Sequence, residues 1–150
     1  MESCQFCHVS ATNGFNIIWE DGSFVAFRDR RPASEHHIQL IPKRHIESVK
    51  TLQKQDAELV RTMKSIGDKL LDDLGLPPSM RIMGFHIPPF NSVNHLHLHV
   101  QGLPYNGLRR AKYHMSSGFG PFHKGFGWFI GAEQAARSLE SGRSIGVFPC

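Results

Sequence analysis

Three histidines alternate with apolar residues in His95-Leu96-His97-Leu98-His99-Val100. With 10 His in 150 residues, a run at i, i+2, i+4 should arise by chance only about 0.04 times, so we read it as chemistry. Successive side chains on a strand face opposite ways, which predicts three imidazoles on one face and Leu96, Leu98 and Val100 on the core face. Metal binding is the obvious rival, since His is the commonest metal ligand. At ~3.3 Å per residue, however, His95 and His99 would lie about 13 Å apart on a straight strand, too far to share one tetrahedral zinc without a bend. A row of imidazoles suits a row of reacting groups instead. One can attack phosphorus, a neighbour can assist the leaving group, and a third can hold the nucleophile in the right tautomer.

Cys4-x-x-Cys7 is a second candidate, a short-loop pair of the kind zinc sites use; a pair of free thiols is the other reading. With only Cys150 besides, the cysteines are too few and too uneven for a disulfide framework. The 17 Lys and Arg against 13 Asp and Glu give a formal charge of +4, which suits phosphate-bearing ligands as well as ordinary solubility. No apolar run approaches the ~20 residues that span a bilayer, and the first residues lack the charged and apolar regions of a signal peptide. The expectation is a protein of the cytoplasm, extending to the nucleus, with no membrane partner.

These residues need a scaffold. Asp21-Gly22 separates Phe15–Glu20 from Phe24–Phe27 and reads as a hairpin turn. His37–Pro42 is a third apolar segment, closed by a proline. From about Gln53 to Leu74, the residues Leu59, Met63, Ile66, Leu70 and Leu74 recur at helical spacing, and Gly75 with Pro77-Pro78 stops the helix. Arg81–Phe85 and Val93–Gly102 read as further strands, Trp128–Ile130 as a last short one, and Glu133–Leu139 as a short C-terminal helix. We therefore expect a single α+β domain over residues 1–150 with an antiparallel sheet. Residues from about 140 onward, ending in Cys150, carry no assignment.

The run HLHLHV, preceded by Asn91-Ser92-Val93-Asn94, resembles the signature of the histidine triad (HIT) superfamily of nucleotide hydrolases and transferases. His37-Ile38-Gln39-Leu40-Ile41-Pro42-Lys43-Arg44-His45-Ile46 is similar to its second motif, and Phe27-Arg28-Asp29 to the segment carrying a ribose-binding acid. Phe85-His86-Ile87-Pro88-Pro89-Phe90 is most similar to the type-three histidine triad nucleotide-binding proteins. The resemblance implies a HIT-like fold that forms a homodimer, a purine nucleotide substrate, and hydrolysis of adenosine 5'-monophosphoramidates to AMP and an amine. Carried over by position, His97 is the nucleophile on the α-phosphorus, His99 contacts the phosphate or leaving group, and His95 orients the nucleophile. The resemblance also puts the site's fourth histidine at His37, the proton donor to the departing amine at Ser92, the ribose acceptor at Asp29 and a nucleotide contact at Asn91. No cofactor is required. Some superfamily members bind zinc through two cysteines and two histidines, for which the matching set is Cys4, Cys7, His45 and His95; were zinc bound there, His95 would be a structural ligand.

The chain departs from the superfamily's best-known branch at Gly84, which stands where that branch has an Asn touching phosphate, and at Pro88-Pro89-Phe90, which replaces a Gly-rich approach. Gln101 replaces an apolar residue, with little expected effect. His8, His36, His86, His114 and His123 read as solvated or packed residues, and Arg109-Arg110-Ala111-Lys112 as a solvated basic surface. Phe15, Ile17, Ile18, Trp19, Phe24 and Phe27 divide between core and adenine pocket. Two further classes remain open: a dinucleoside polyphosphate hydrolase or DNA-end deadenylase, and a low-turnover nucleotide-binding scaffold. The chain lacks a C-terminal Cys/His finger or long basic helix to hold DNA, so nucleic acid is not an expected partner.

Overall fold

The computed structural model describes residues 4–150. Asp21 and Gly22 close the expected hairpin. Strand β1 (Ile17–Glu20) pairs antiparallel with β2 (Phe24–Arg28), and the Asp21 carboxylate accepts the backbone N–H groups of Ser23 and Phe24 at 2.8 and 2.7 Å. β3 (Ser34–Pro42), β4 (Arg81–His86), β5 (Leu98–Tyr105) and β6 (Phe129–Gly131) complete a six-stranded antiparallel sheet in the order β1-β2-β3-β5-β4-β6. Helices α1 (Ala57–Asp73) and α2 (Ala132–Glu140) lie together, tied by the Arg61 guanidinium, which donates to Glu133 at 3.0 Å and to Glu140. Among the described residues, no helix is long and apolar enough to cross a membrane.

Strand alternation sorts the two faces of the sheet. Phe24, Ala26, Ile38, Leu40, Phe85, Leu98 and Val100 join Val60, Met63, Leu71, Ala135 and Leu139 in the main core, between sheet and helices. The odd-numbered partners on β3 and β5, namely His37, Gln39, His99 and Gln101, therefore face the other way. Register then brings them together, because Gln39 sits opposite His99 and His37 opposite Gln101. A smaller apolar cluster of Phe6, Phe15, Val25, Phe27 and Ile41 covers part of this second face.

Two expectations need correction. The buried stripe of α1 runs through Val60, Met63, Gly67 and Leu71, rotated by about one residue from the one read from sequence; Leu59, Ile66 and Leu70 are half-buried and Leu74 is 45% exposed. Gly67 explains the rotation. A Cβ built there would meet Met83 Sδ at 2.7 Å and Val100 Cγ2 at 3.2 Å, so the helix comes closest to the sheet at a residue that hydropathy counts as nothing. Second, β5 begins at Leu98 rather than Val93. Residues 92–95 bend instead, with Asn91 Nδ2 bonded to the Val93 carbonyl (3.1 Å) and to Asn94 Oδ1 (3.0 Å), and Leu96 N–H bonded to the Ile46 carbonyl (2.7 Å).

The segment after α2, unassigned from sequence, returns to the body of the molecule. Ile145 and Cys150 are buried in the main core, and the Cys150 carbonyl accepts the N–H groups of His123 and Lys124 at 2.7 and 2.9 Å. The fully buried Lys124 ammonium donates to the carbonyls of Gly125 (2.6 Å) and Val147 (3.1 Å). Burial pushes its pKa down, and the carbonyls satisfy the donors that burial removes from water.

Candidate active site

The bend before β5 separates the three histidines of the run. Only His99 lies on the strand, so the three rings do not share one strand face. His95 is fully buried and turns toward the N-terminal segment, its Nδ1 lying 3.4 Å from Cys4 Sγ and 3.6 Å from Cys7 Sγ. His97 and His99 stay adjacent, with ring centroids 5.2 Å apart.

At His97, Nδ1 lies 2.6 Å from the His95 carbonyl. A carbonyl only accepts, so Nδ1 carries the proton and Nε2 keeps its lone pair. Burial lowers the His97 pKa to about 4, so the ring is neutral at physiological pH. A neutral imidazole with one nitrogen fixed as donor and a lone pair on the other has the form that nucleophilic attack requires. His95 thus sets the tautomer of His97 through its backbone oxygen, while its side chain belongs to another cluster.

The remaining histidines form a chain whose polarity can be read from its ends. The backbone N–H of Ala33 donates to His37 Nδ1 at 2.9 Å, which makes His37 Nε2 the protonated nitrogen. His37 Nε2 then donates to His99 Nδ1 at 2.9 Å, and His99 Nε2 donates to His86 Nδ1 at 3.2 Å. His86 Nε2 donates to the Lys112 carbonyl at 2.7 Å, so the far end requires the same polarity as the near one. Burial is the largest influence on all three rings: it lowers His37 to about 4, and lowers His99 and His86 as well. Asp29 opposes it at His37, its Oδ2 lying 3.3 Å from Nε2. The Gln101 amide lies 3.2 Å from the same nitrogen and accepts the Tyr105 hydroxyl at 2.7 Å.

This network borders a cavity of about 620 Å³. Phe6, Phe15, Phe27 and Val93 form an apolar wall, and Asp29, Gln39, Ser92, His86 and His99 bring polar groups to it. Phe90 and Trp128, with ring centroids 6.0 Å apart, stand at the exposed side beside Arg30, Arg31 and Lys112. Asp29 accepts the Arg31 N–H at 2.7 Å through Oδ1 and Gln39 Nε2 at 2.6 Å through Oδ2. A carboxylate has about four lone-pair sites, so acceptor capacity remains. His97 and Asn91 lie behind this cavity, lining a narrow recess that His86 and Val93 share. Asn91 uses its amide N–H groups to hold the bend.

Cys4, Cys7, His45 and His95 come together on the far side of the bend. Cys7 Sγ is 3.4 Å from His45 Nδ1, and the four candidate ligand atoms lie within 4.8 Å of one another. Zinc with bonds of about 2.0 to 2.3 Å puts its ligands about 3.5 Å apart, so this donor set fits the ion. The outer nitrogen of His95 is also suitably engaged, Nε2 donating to the Pro42 carbonyl at 2.8 Å and leaving Nδ1 toward the thiols.

Sequence reading missed two members of the site. From sequence His86 reads as solvated or packed, yet it lies against His99 with centroids 4.8 Å apart. The signal was alternation: Phe85 is core, so His86 had to face the side that bears His99. Gln101, expected to matter little, is fully buried and touches His37.

Fold and site together define a histidine triad domain, and comparison with known proteins agrees. The chain belongs to the histidine triad family: residues 3–114 match the family described as "Scavenger mRNA decapping enzyme C-term binding". It is 41% identical over 135 residues to the bifunctional adenosine 5'-phosphosulfate phosphorylase/adenylylsulfatase HINT4 of Arabidopsis thaliana, covering 88% of each chain. It is 34% identical over 144 residues to the adenosine 5'-monophosphoramidase HINT3 of Xenopus tropicalis, covering 93% of this chain and 88% of that one. Among solved structures, a HIT family hydrolase from Legionella pneumophila matches with a TM-score of 0.62 at 30% identity, over 68% of this chain and 94% of the other.

Proposed function

We propose that this enzyme hydrolyses adenosine 5'-monophosphoramidates to AMP and an amine through a nucleotidyl-histidine intermediate at His97. The observation that carries the reading is the His97 Nδ1–H donated to the His95 carbonyl, which leaves Nε2 as the free nucleophile beside His99. Nε2 attacks the α-phosphorus, the P–N bond breaks, and the amine leaves with a proton supplied at nitrogen, for which Ser92 on the cavity wall is the donor. Water then attacks the phosphorus, its proton restoring the Ser92 hydroxyl, the bond to Nε2 breaks, and AMP departs with the water oxygen. Asp29 takes the ribose hydroxyls, and Phe6, Phe15 and Phe27 hold the base between apolar faces. The phosphoramidase activity named for the Xenopus relative supports this reading.

A second reading concerns the leaving group. Arg30, Arg31 and Lys112 border the cavity against the single carboxylate of Asp29, a balance that favours an anionic leaving group such as sulfate or a phosphate chain. The adenylylsulfatase activity named for the Arabidopsis relative has the same chemistry. Adenosine phosphoramidate, adenylyl sulfate and diadenosine polyphosphate assayed side by side separate the two. Fastest turnover of the phosphoramidate is expected, with a denaturation-stable adenylate on His97 after rapid quenching; turnover confined to the anionic substrates would overturn the first reading. The same reading extends to a homodimer in solution, checked by sedimentation, and to a structural zinc at the Cys4 cluster, checked by metal analysis.

A further inference from the structure

His86 is absent from the machinery just proposed, yet it closes the histidine chain. It ends β4, borders both the cavity and the recess behind it, and packs between Tyr113 and Phe129, with centroids 5.1 and 5.2 Å away. Its two nitrogens have different duties. Nδ1 accepts from His99 Nε2 at 3.2 Å, and Nε2 donates to the Lys112 carbonyl at 2.7 Å.

The ends of the chain decide what it can do. Ala33 N–H can only donate and the Lys112 carbonyl can only accept, so neither exchanges a proton. Shifting every proton one place along would leave His37 without one on either nitrogen. The chain is therefore locked, and it orients rather than conducts. What it orients is the His99 Nε2–H, on a ring that lines the cavity together with His86.

We propose that His86 is a positioning residue for the reaction: its Nδ1 holds the His99 Nε2–H at the angle from which that N–H donates a hydrogen bond to a phosphoryl oxygen of the nucleotide, the proton staying on nitrogen. This inference rests on the nucleotidyl transfer proposed above. Its electrostatic logic is simple. A buried N–H with no partner would turn or draw in water, and a misaligned donor contributes little as charge develops on the phosphoryl oxygen.

Three substitutions divide the duties of His86. His86→Asn keeps an acceptor at the δ position but does not reach Lys112. His86→Gln keeps a donor at the ε position but offers nothing to His99. His86→Phe keeps only the ring. Steady-state hydrolysis of adenosine phosphoramidate, with AMP affinity and thermal unfolding measured alongside, reads the result. We expect His86→Phe and His86→Gln to lower kcat about tenfold or more with KM and AMP affinity within about twofold, and His86→Asn to recover most of the rate. Wild-type kcat in His86→Phe, or equal losses in Asn and Gln, overturns the inference and leaves the proposed function standing. If His86→Phe fails to fold, the Asn and Gln pair decides alone. Absence of turnover by the wild-type protein removes both.

Discussion

At His97 a backbone carbonyl, rather than a neighbouring side chain, selects the free nitrogen, so the tautomer that the proposed nucleophile needs depends on the bend at residues 92–95 staying intact. His97→Ala should cut turnover by about 10³-fold or more while leaving AMP binding and the unfolding midpoint nearly unchanged; a mutant keeping most of the rate would displace His97 from the role. Ser92 tests the leaving group. An amine needs a proton to depart and an activated aryl ester does not, so Ser92→Ala should slow phosphoramidate hydrolysis by about an order of magnitude and a nitrophenyl ester of AMP much less. Equal slowing of both would make Ser92 a contact to phosphate only. Asp29→Ala should weaken AMP by about 1.5 to 3 kcal/mol. Asp29 also holds Gln39 and the Arg31 backbone, so the decisive comparison is 2′,3′-dideoxy-AMP, which should lose affinity for wild type and little more for the mutant.

Between elements, a tight approach at the site is where β4 pairs with β6. A Cβ at Gly84 would lie 2.5 Å from the Ile130 carbonyl and 2.5 Å from Phe129 Cζ, so Gly84→Ala must push β6 outward. It should cost about 1 to 3 kcal/mol in urea unfolding, with Gly22→Ala, which meets open space, as the near-neutral control. Because Phe129 backs both His86 and His99, the same change should also lower kcat. The sequence reading took Gly84 for a lost phosphate contact; the structure makes it the clearance for a strand. Elements were legible where turn residues or a proline bounded an apolar run, as in β1, β2 and β3. Legibility failed where a small residue or a local bond set the geometry. Gly67 turned α1, and Asn91 with the Leu96 N–H broke the expected strand, because neither effect leaves a trace in apolar spacing. Of the candidate site residues, His37, His99, Asp29 and Ser92 share the cavity or its network, whereas His95 joins the cysteines and Asn91 braces the bend.

Over the whole molecule, His37, His86, His95, His97 and His99 are all held neutral, with burial as the largest cause at each. An unfolded histidine takes up its proton near pH 6.5, while His37 and His97 resist until about 4. Between those values the unfolded chain binds more protons than the folded one, so stability is full above pH 6.5 and falls as pH drops toward 4. Urea midpoints should decline steadily across that window and less steeply in His37→Gln, provided that variant folds; a flat profile would contradict the burial of these rings. The strand order carries a kinetic consequence as well. His37 and His99 meet only because β3 and β5 are neighbours, although α1 and β4 intervene in the chain. Closing so long a loop is slow and comes with little local reward beforehand, so refolding should be limited by this pairing. An early collapsed state can hold the β1–β2 hairpin and α1 without possessing any active centre. Recovery of turnover after dilution from denaturant should then follow the slowest structural phase, with no active species appearing ahead of it.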